Sequence, residues 1–225
     1  MSPRLLWEDP KVSSAMIIEY TALASGAPVE LVREVVDGFW DYVSQPSRSS
    51  RHKSSVVEIA YSGDVETHIL WIPHFGRFRL RRFLKYNWNT LSFRSLSNDV
   101  LQQKMEARDG RPPSDRWVAM VDQEDPAGNA RLSVKRNMAC VIADARNLNL
   151  ATTYRVLWTF LETVTRLFIQ GDQEIAFFRR GVLYPRQPMS RAQATGLQLG
   201  QAYQPSGIQY RLRCYQSFNN KLAEA

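Results

Sequence analysis

Two stretches of this chain run through the same succession of hydrophobic patterns, and that repetition constrains its fold more than any single motif. In the first stretch, residues 14–26 place Met16, Ile17, Tyr20, Leu23 and Ala24 at helical spacing, and Gly26 supplies a left-handed stop. Residues 28–45 read as a second helix. Pro28 suits its first position, Glu30 suits the positive end of its dipole, and Leu31, Val32, Val35, Val36, Phe39 and Val43 form its apolar face. The segments VVEIAY and ETHILWI flank SGDV as a hairpin. In HFGRFRLRRF, residues 74–83, Phe75 and Gly76 sit in a turn, after which Phe78 and Leu80 alternate with Arg77, Arg79 and Arg81. LKYNWNT is a tip, LSFRSL a return strand, and 97–107 a helix capped by Ser97 or Asn98.

The order then recurs. Residues 137–147 and 150–170 read as helices, the second capped by Asn149 and ended by Gly171. QEIAFF and VLYPRQP are strands around RRG, 189–207 is an excursion of low charge, IQYRLR returns as a strand, and 214–225 is a last helix. Helix–helix–strand–turn–strand–tip–strand–helix therefore occurs twice. The expectation is an α+β fold of two tandem modules, 14–107 and 137–225, joined by a linker at 108–136 that holds Pro112, Pro113, Pro126 and Gly128. The first module carries an insertion at 46–68.

Charge is distributed unevenly over this pattern. The chain has 29 Lys and Arg against 22 Asp and Glu, a formal charge of +7, which points to a polyanionic partner. Residues 76–94 contain Arg77, Arg79, Arg81, Arg82, Lys85 and Arg94 with no acid, and residues 179–213 contain Arg179, Arg180, Arg186, Arg191, Arg211 and Arg213 with no acid. The acids lie elsewhere, as with Glu30, Glu34, Asp37 and Asp41 on the second helix. Arginine suits phosphate because its planar fork donates in pairs. The competing reading of alternating arginines is a solvated sheet face. Arg48, Arg51 and Lys53 are either further phosphate contacts or part of a charged loop.

Other classes find little support. The sequence has no Walker loop, GxSxG, GxGxxG or metal-ligand spacing, so neither enzyme nor cofactor is expected. Glu58, Asp64 and Glu66 form a sparse acidic set without the convergence a nuclease metal site needs. Cys140 and Cys214 are expected as buried free thiols, and His52, His68 and His74 as non-ligands. The charged start MSPRLLWED and the absence of a ~20-residue apolar run imply neither a signal peptide nor a membrane span, hence a cytoplasmic setting.

The same residues carry a family resemblance. WIPHFGRFRLRR, 71–82, resembles the first strand, glycine-containing turn and basic second strand of the HU/IHF bacterial histone-like family. ALASGAPVELVREVVDGFW and IADARNLNLATTYRVLWTFLETV resemble its helix–turn–helix opening, and SGIQYRLRCYQSFNNKLAEA its third strand and closing helix. Members of that family are intertwined two-chain dimers whose arms reach around DNA, with an arm-tip proline wedged between bases. The resemblance implies an intramolecular pseudo-dimer, monomeric as a chain, that binds duplex DNA without reading sequence and bends or compacts it. Fusion keeps the second half always at high local concentration.

Three features depart from the family pattern. The first arm, 82–91, is short and lacks proline. The second arm, 185–207, is poor in charge. The insertion at 46–68 precedes the first strand, and protein partners through it are an expectation. Trp88 is either a wedge or a ring packed back on its arm; Pro188 and Pro205 are either wedges or turn prolines. The alternative function is an assembly protein, of a phage particle or a nucleoprotein machine, that uses the same fold to grip proteins.

Overall fold

The computed structural model describes residues 10–44, 57–86, 88–107, 134–187 and 207–218. In chain order the elements are β1 (Lys11–Ser13), α1 (Ser14–Ser25), α2 (Val29–Ser44), β2 (Val57–Ser62), β3 (Val65–Ile72), β4 (Gly76–Phe83), β5 (Trp88–Ser95) and α3 (Asn98–Glu106). They continue with α4 (Val134–Arg146), α5 (Leu150–Gln170), β6 (Glu174–Phe177), β7 (Gly181–Arg186) and β8 (Gln209–Cys214). The fold is α+β. One eight-stranded sheet runs in the order β1-β6-β7-β8-β5-β4-β3-β2. Its pairings are antiparallel except β1 on β6, which is parallel.

The period-2 pattern decides which face is covered. Phe78 and Leu80 of β4, Leu91 and Phe93 of β5, Leu183 of β7 and Tyr210 of β8 are buried. Over them lie α2 and α5, whose apolar stripes supply Phe39, Trp40, Phe160 and Phe168. Phe39 stands at the centre. Its ring meets those of Trp40, Phe75, Phe78 and Phe160 edge-on, at centroid distances of 5.5, 6.3, 5.9 and 5.3 Å.

Backbone details recur between the two stretches. Ala27 N donates to Ala22 O at 3.2 Å beyond α1, and Leu148 N donates to Ala143 O at 2.9 Å beyond α4. The turn before β4 has His74 at φ 60° with Phe75 N donating to Ile72 O; the turn before β7 has Arg179 at φ 58° with Arg180 N donating to Phe177 O. The glycine that follows is required in both. A Cβ on Gly76 would lie 2.5 Å from Arg94 O, and a Cβ on Gly181 would lie 2.5 Å from Arg213 O. Backbone cannot yield there as a flexible side chain can. Gly181→Ala is therefore expected to cost about 1–3 kcal/mol in urea denaturation; an unchanged midpoint would mean the turn is not pinned.

The structure corrects several expectations. The buried face of α1 is Ile17, Ile18, Thr21, Ala22 and Ser25, while Leu23 is 70% exposed and Ala24 exposed. That helix is apolar almost all round, so its pattern does not choose a face; packing against α5 does. Strand β1 was not anticipated, since three residues are too few to show a period. Residues 134–136, expected as linker, belong to α4. The segment 82–91 is not a projecting arm: β3 pairs with the whole length of β4, out to Val65 opposite Phe83, and Leu84 N donates to Asp64 O at 2.9 Å. A ribbon flanked along its full length has no free reach.

Candidate nucleic-acid interface

Residues directly opposite one another on neighbouring strands point to the same side of a sheet. On β4, Arg77, Arg79 and Arg81 alternate with the buried Phe78 and Leu80, so they stand on the face away from the helices. Arg94 of β5 is opposite Arg77, Arg211 of β8 is opposite Arg94, and Tyr184 of β7 is opposite Arg211. Arginines from three adjacent strands thus form one row across the sheet, about 10 Å long at ~4.8 Å per strand. Arg213 and Arg186 belong to the same face. Trp71 of β3, opposite Arg77, closes one end of the row with the guanidinium 5.3 Å from its ring centroid. Beyond Tyr184, Glu174 of β6 turns to this face by alternation and ends the basic zone.

The electrostatics of this face are those of like charges held together. Burial lowers the pKa of Arg79, and Arg77 and Arg81 lower it further. Arg211 is lowered by burial, then by Arg94 and Arg186. Arg94 Nε donates to Gln209 Oε1 at 2.8 Å, a neutral partner that fixes the side chain without cancelling its charge. Arg213 lies 5.7 Å from the Tyr184 ring centroid.

Not every residue expected at the interface is there. Arg82 alternates to the opposite face, across from Glu66. Arg179 and Arg180 sit in the β6–β7 turn, and Arg180 is engaged by Asp41 at 3.1 Å and Asp37 at 3.7 Å. Lys85 is exposed in the short 3-10 turn after β4. Trp88 is a strand residue opposite Phe83. Arg48, Arg51, Lys53, Pro188, Arg191 and Pro205 lie outside the described residues. Trp71 and Tyr184 were missed by the sequence reading: alternation alone puts them on a face, but only strand register puts them beside arginines.

The seam between β5 and β8 is held by buried and half-buried groups; Cys140 and Cys214, expected as buried thiols, are free but only half-buried. Tyr210 N donates to Ser95 Oγ at 2.7 Å, Tyr210 Oη donates to Leu167 O at 3.3 Å, and Cys214 Sγ approaches Leu91 O at 3.4 Å. Burial pushes the Cys214 thiol from 9.0 up to about 12 and raises the Tyr210 phenol above its ordinary 10.0. The unfolded chain ionises these groups at their ordinary values while the folded chain keeps both protons. The contribution of these two groups to stability is therefore expected to be constant below about pH 9 and to fall as pH rises toward 12. Urea midpoints of the parent and Cys214→Ser across that range check this; a parent curve flat to pH 11 contradicts it.

Among the described residues, no group of three or more His, Cys, Asp or Glu is placed to hold a metal ion. Compared with family models, curated protein sequences and solved structures, the chain matches none.

Proposed function

We propose that the chain binds duplex DNA across the sheet face that points away from the described helices, gripping phosphates rather than reading bases. The observation that carries this is the row Arg77–Arg94–Arg211, three like charges side by side on adjacent strands. Their mutual repulsion raises the free energy of the unbound protein, and a polyanion relieves it. Phosphate contacts of this kind position a duplex without sequence information and weaken steeply with salt.

The HU/IHF-like reading is supported by the recurring helix junctions and turns, and by the order of the central strands. β3-β4-β5 and β6-β7-β8 are two meanders that meet through their third strands, as two modules related by a two-fold would. In this reading the chain is a fused pseudo-dimer with an architectural role, nucleoid-associated or within a phage particle. The first meander has no free arm, so any bending of DNA rests on the sheet face and on the second half.

Salt-titrated anisotropy with two duplexes of unrelated sequence tests the proposal. Equal affinity for both and a steep decline with salt are the expected result. Absence of binding at low salt, or strong preference for one sequence, contradicts it.

A further inference from the structure

The recurring turn closes differently in its two settings. Before β4 the third position is Phe75, which is 2% exposed and packs its ring against Phe39, Phe93 and Phe168. Before β7 the same position is Arg180, which turns to Asp37 and Asp41 on α2 instead. At that end the buried rings are Phe177 and Phe218, 4.9 and 6.3 Å from the Trp40 centroid, and the Arg180 guanidinium lies 5.2 Å from the Phe218 centroid. Beside them is a cavity of about 750 Å³ between α1, α2 and the β6–β7 turn.

We propose that this cavity binds a small amphiphilic anion: an apolar, ring-bearing body with one carboxylate, sulfonate or phosphate. The volume is that of a small-ligand site. Ile18, Val36, Trp40 and Phe177 give it an apolar floor. Phe178 and Tyr215 line it while remaining 73% and 40% exposed, so a guest would remove ring surface from water that the fold itself leaves wet.

The lining cations specify the sign of the ligand's charge. Arg33 and Arg179 both line the cavity, and neither has an ion-pair partner among the described residues, unlike Arg180. The Arg179 guanidinium lies 4.9 Å from the Phe178 ring centroid, so cation and apolar wall adjoin. The lining acids are Glu19 and Asp37, the latter engaged by Arg180, so the lining keeps a net charge of +1. Two guanidinium forks beside an apolar well suit a ligand with an anionic head and a hydrophobic body.

The probe pair 8-anilinonaphthalene-1-sulfonate and neutral N-phenyl-1-naphthylamine tests this by fluorescence titration. The sulfonate is expected to saturate at one per chain and to bind about tenfold more tightly than the neutral probe, a ratio set by one ionic contact. Combining Arg33→Gln with Arg179→Gln should abolish that advantage while leaving the neutral probe within about twofold. Ala15→Trp and Ser217→Trp, each at an exposed lining residue, should exclude both probes without disturbing the core, as circular dichroism would verify. The proposal is overturned by the absence of saturable binding, by sulfonate affinity indifferent to the arginine pair, or by binding that survives both tryptophans.

Discussion

Replacing Arg77, Arg94 and Arg211 together by glutamine is expected to lower affinity for duplex DNA by about 100- to 1000-fold near 0.1 M salt. Each arginine that meets a phosphate contributes roughly 1–1.5 kcal/mol at an exposed site, and each 1.4 kcal/mol is tenfold. The slope of log affinity against log salt should become shallower by about 2.7, three contacts at ~0.9 each. Stability should hold or rise, because the neighbouring arginines repel one another and lower the pKa of Arg211. The pair Arg155→Gln and Arg166→Gln, exposed on α5 away from the row, removes two positive charges where the triple variant removes three, and should change affinity by about threefold at most. Anisotropy titrations over a salt series read both quantities. A triple variant that binds like the parent, or a control pair that loses as much, would refute the sheet-face reading.

Phe39→Ala is expected to be the most damaging single truncation in the core, at about 3–5 kcal/mol. The ring touches α2, α5, β4 and the turn before it at once, so no neighbour can close the void alone. A loss of that size is a large fraction of the ~5–15 kcal/mol that holds a domain folded. The core cluster runs without interruption through residues of both stretches, from Ile17 to Phe218. Unfolding should therefore remain one transition, with a lowered midpoint and an unchanged dependence on urea. Two separable transitions, only one of them shifted, would show that the stretches fold independently.

Much of the secondary structure was legible because its signals were local. Asn149 caps α5 by accepting from Thr152 N, and Gly26 and Gly171 end their helices in the left-handed region, as residue type alone suggests. The hairpin about Gly63 and the alternation on β4 were equally plain. What sequence could not supply was information carried by register. The segment 76–94 counts Arg82 among its cations, but period 2 turns Arg82 to the opposite face from Arg81. Arg180 reads as one more arginine until α2 brings Asp37 and Asp41 beside it. Arg94 and Arg211 become neighbours only through the single seam between β5 and β8. The face of α1 was misread for a related reason: a helix apolar on most sides takes its orientation from its neighbours.

Strand β1 sets a timetable for synthesis. Lys11–Ser13 pairs with Glu174–Ala176, so once made this strand waits for a partner some 160 residues later. At ~5–20 residues per second that delay is about 8 to 30 s. Through that interval α1 and α2 have an apolar flank without its eventual cover. A nascent chain stalled before residue 174 should accordingly be a better chaperone client than one released whole.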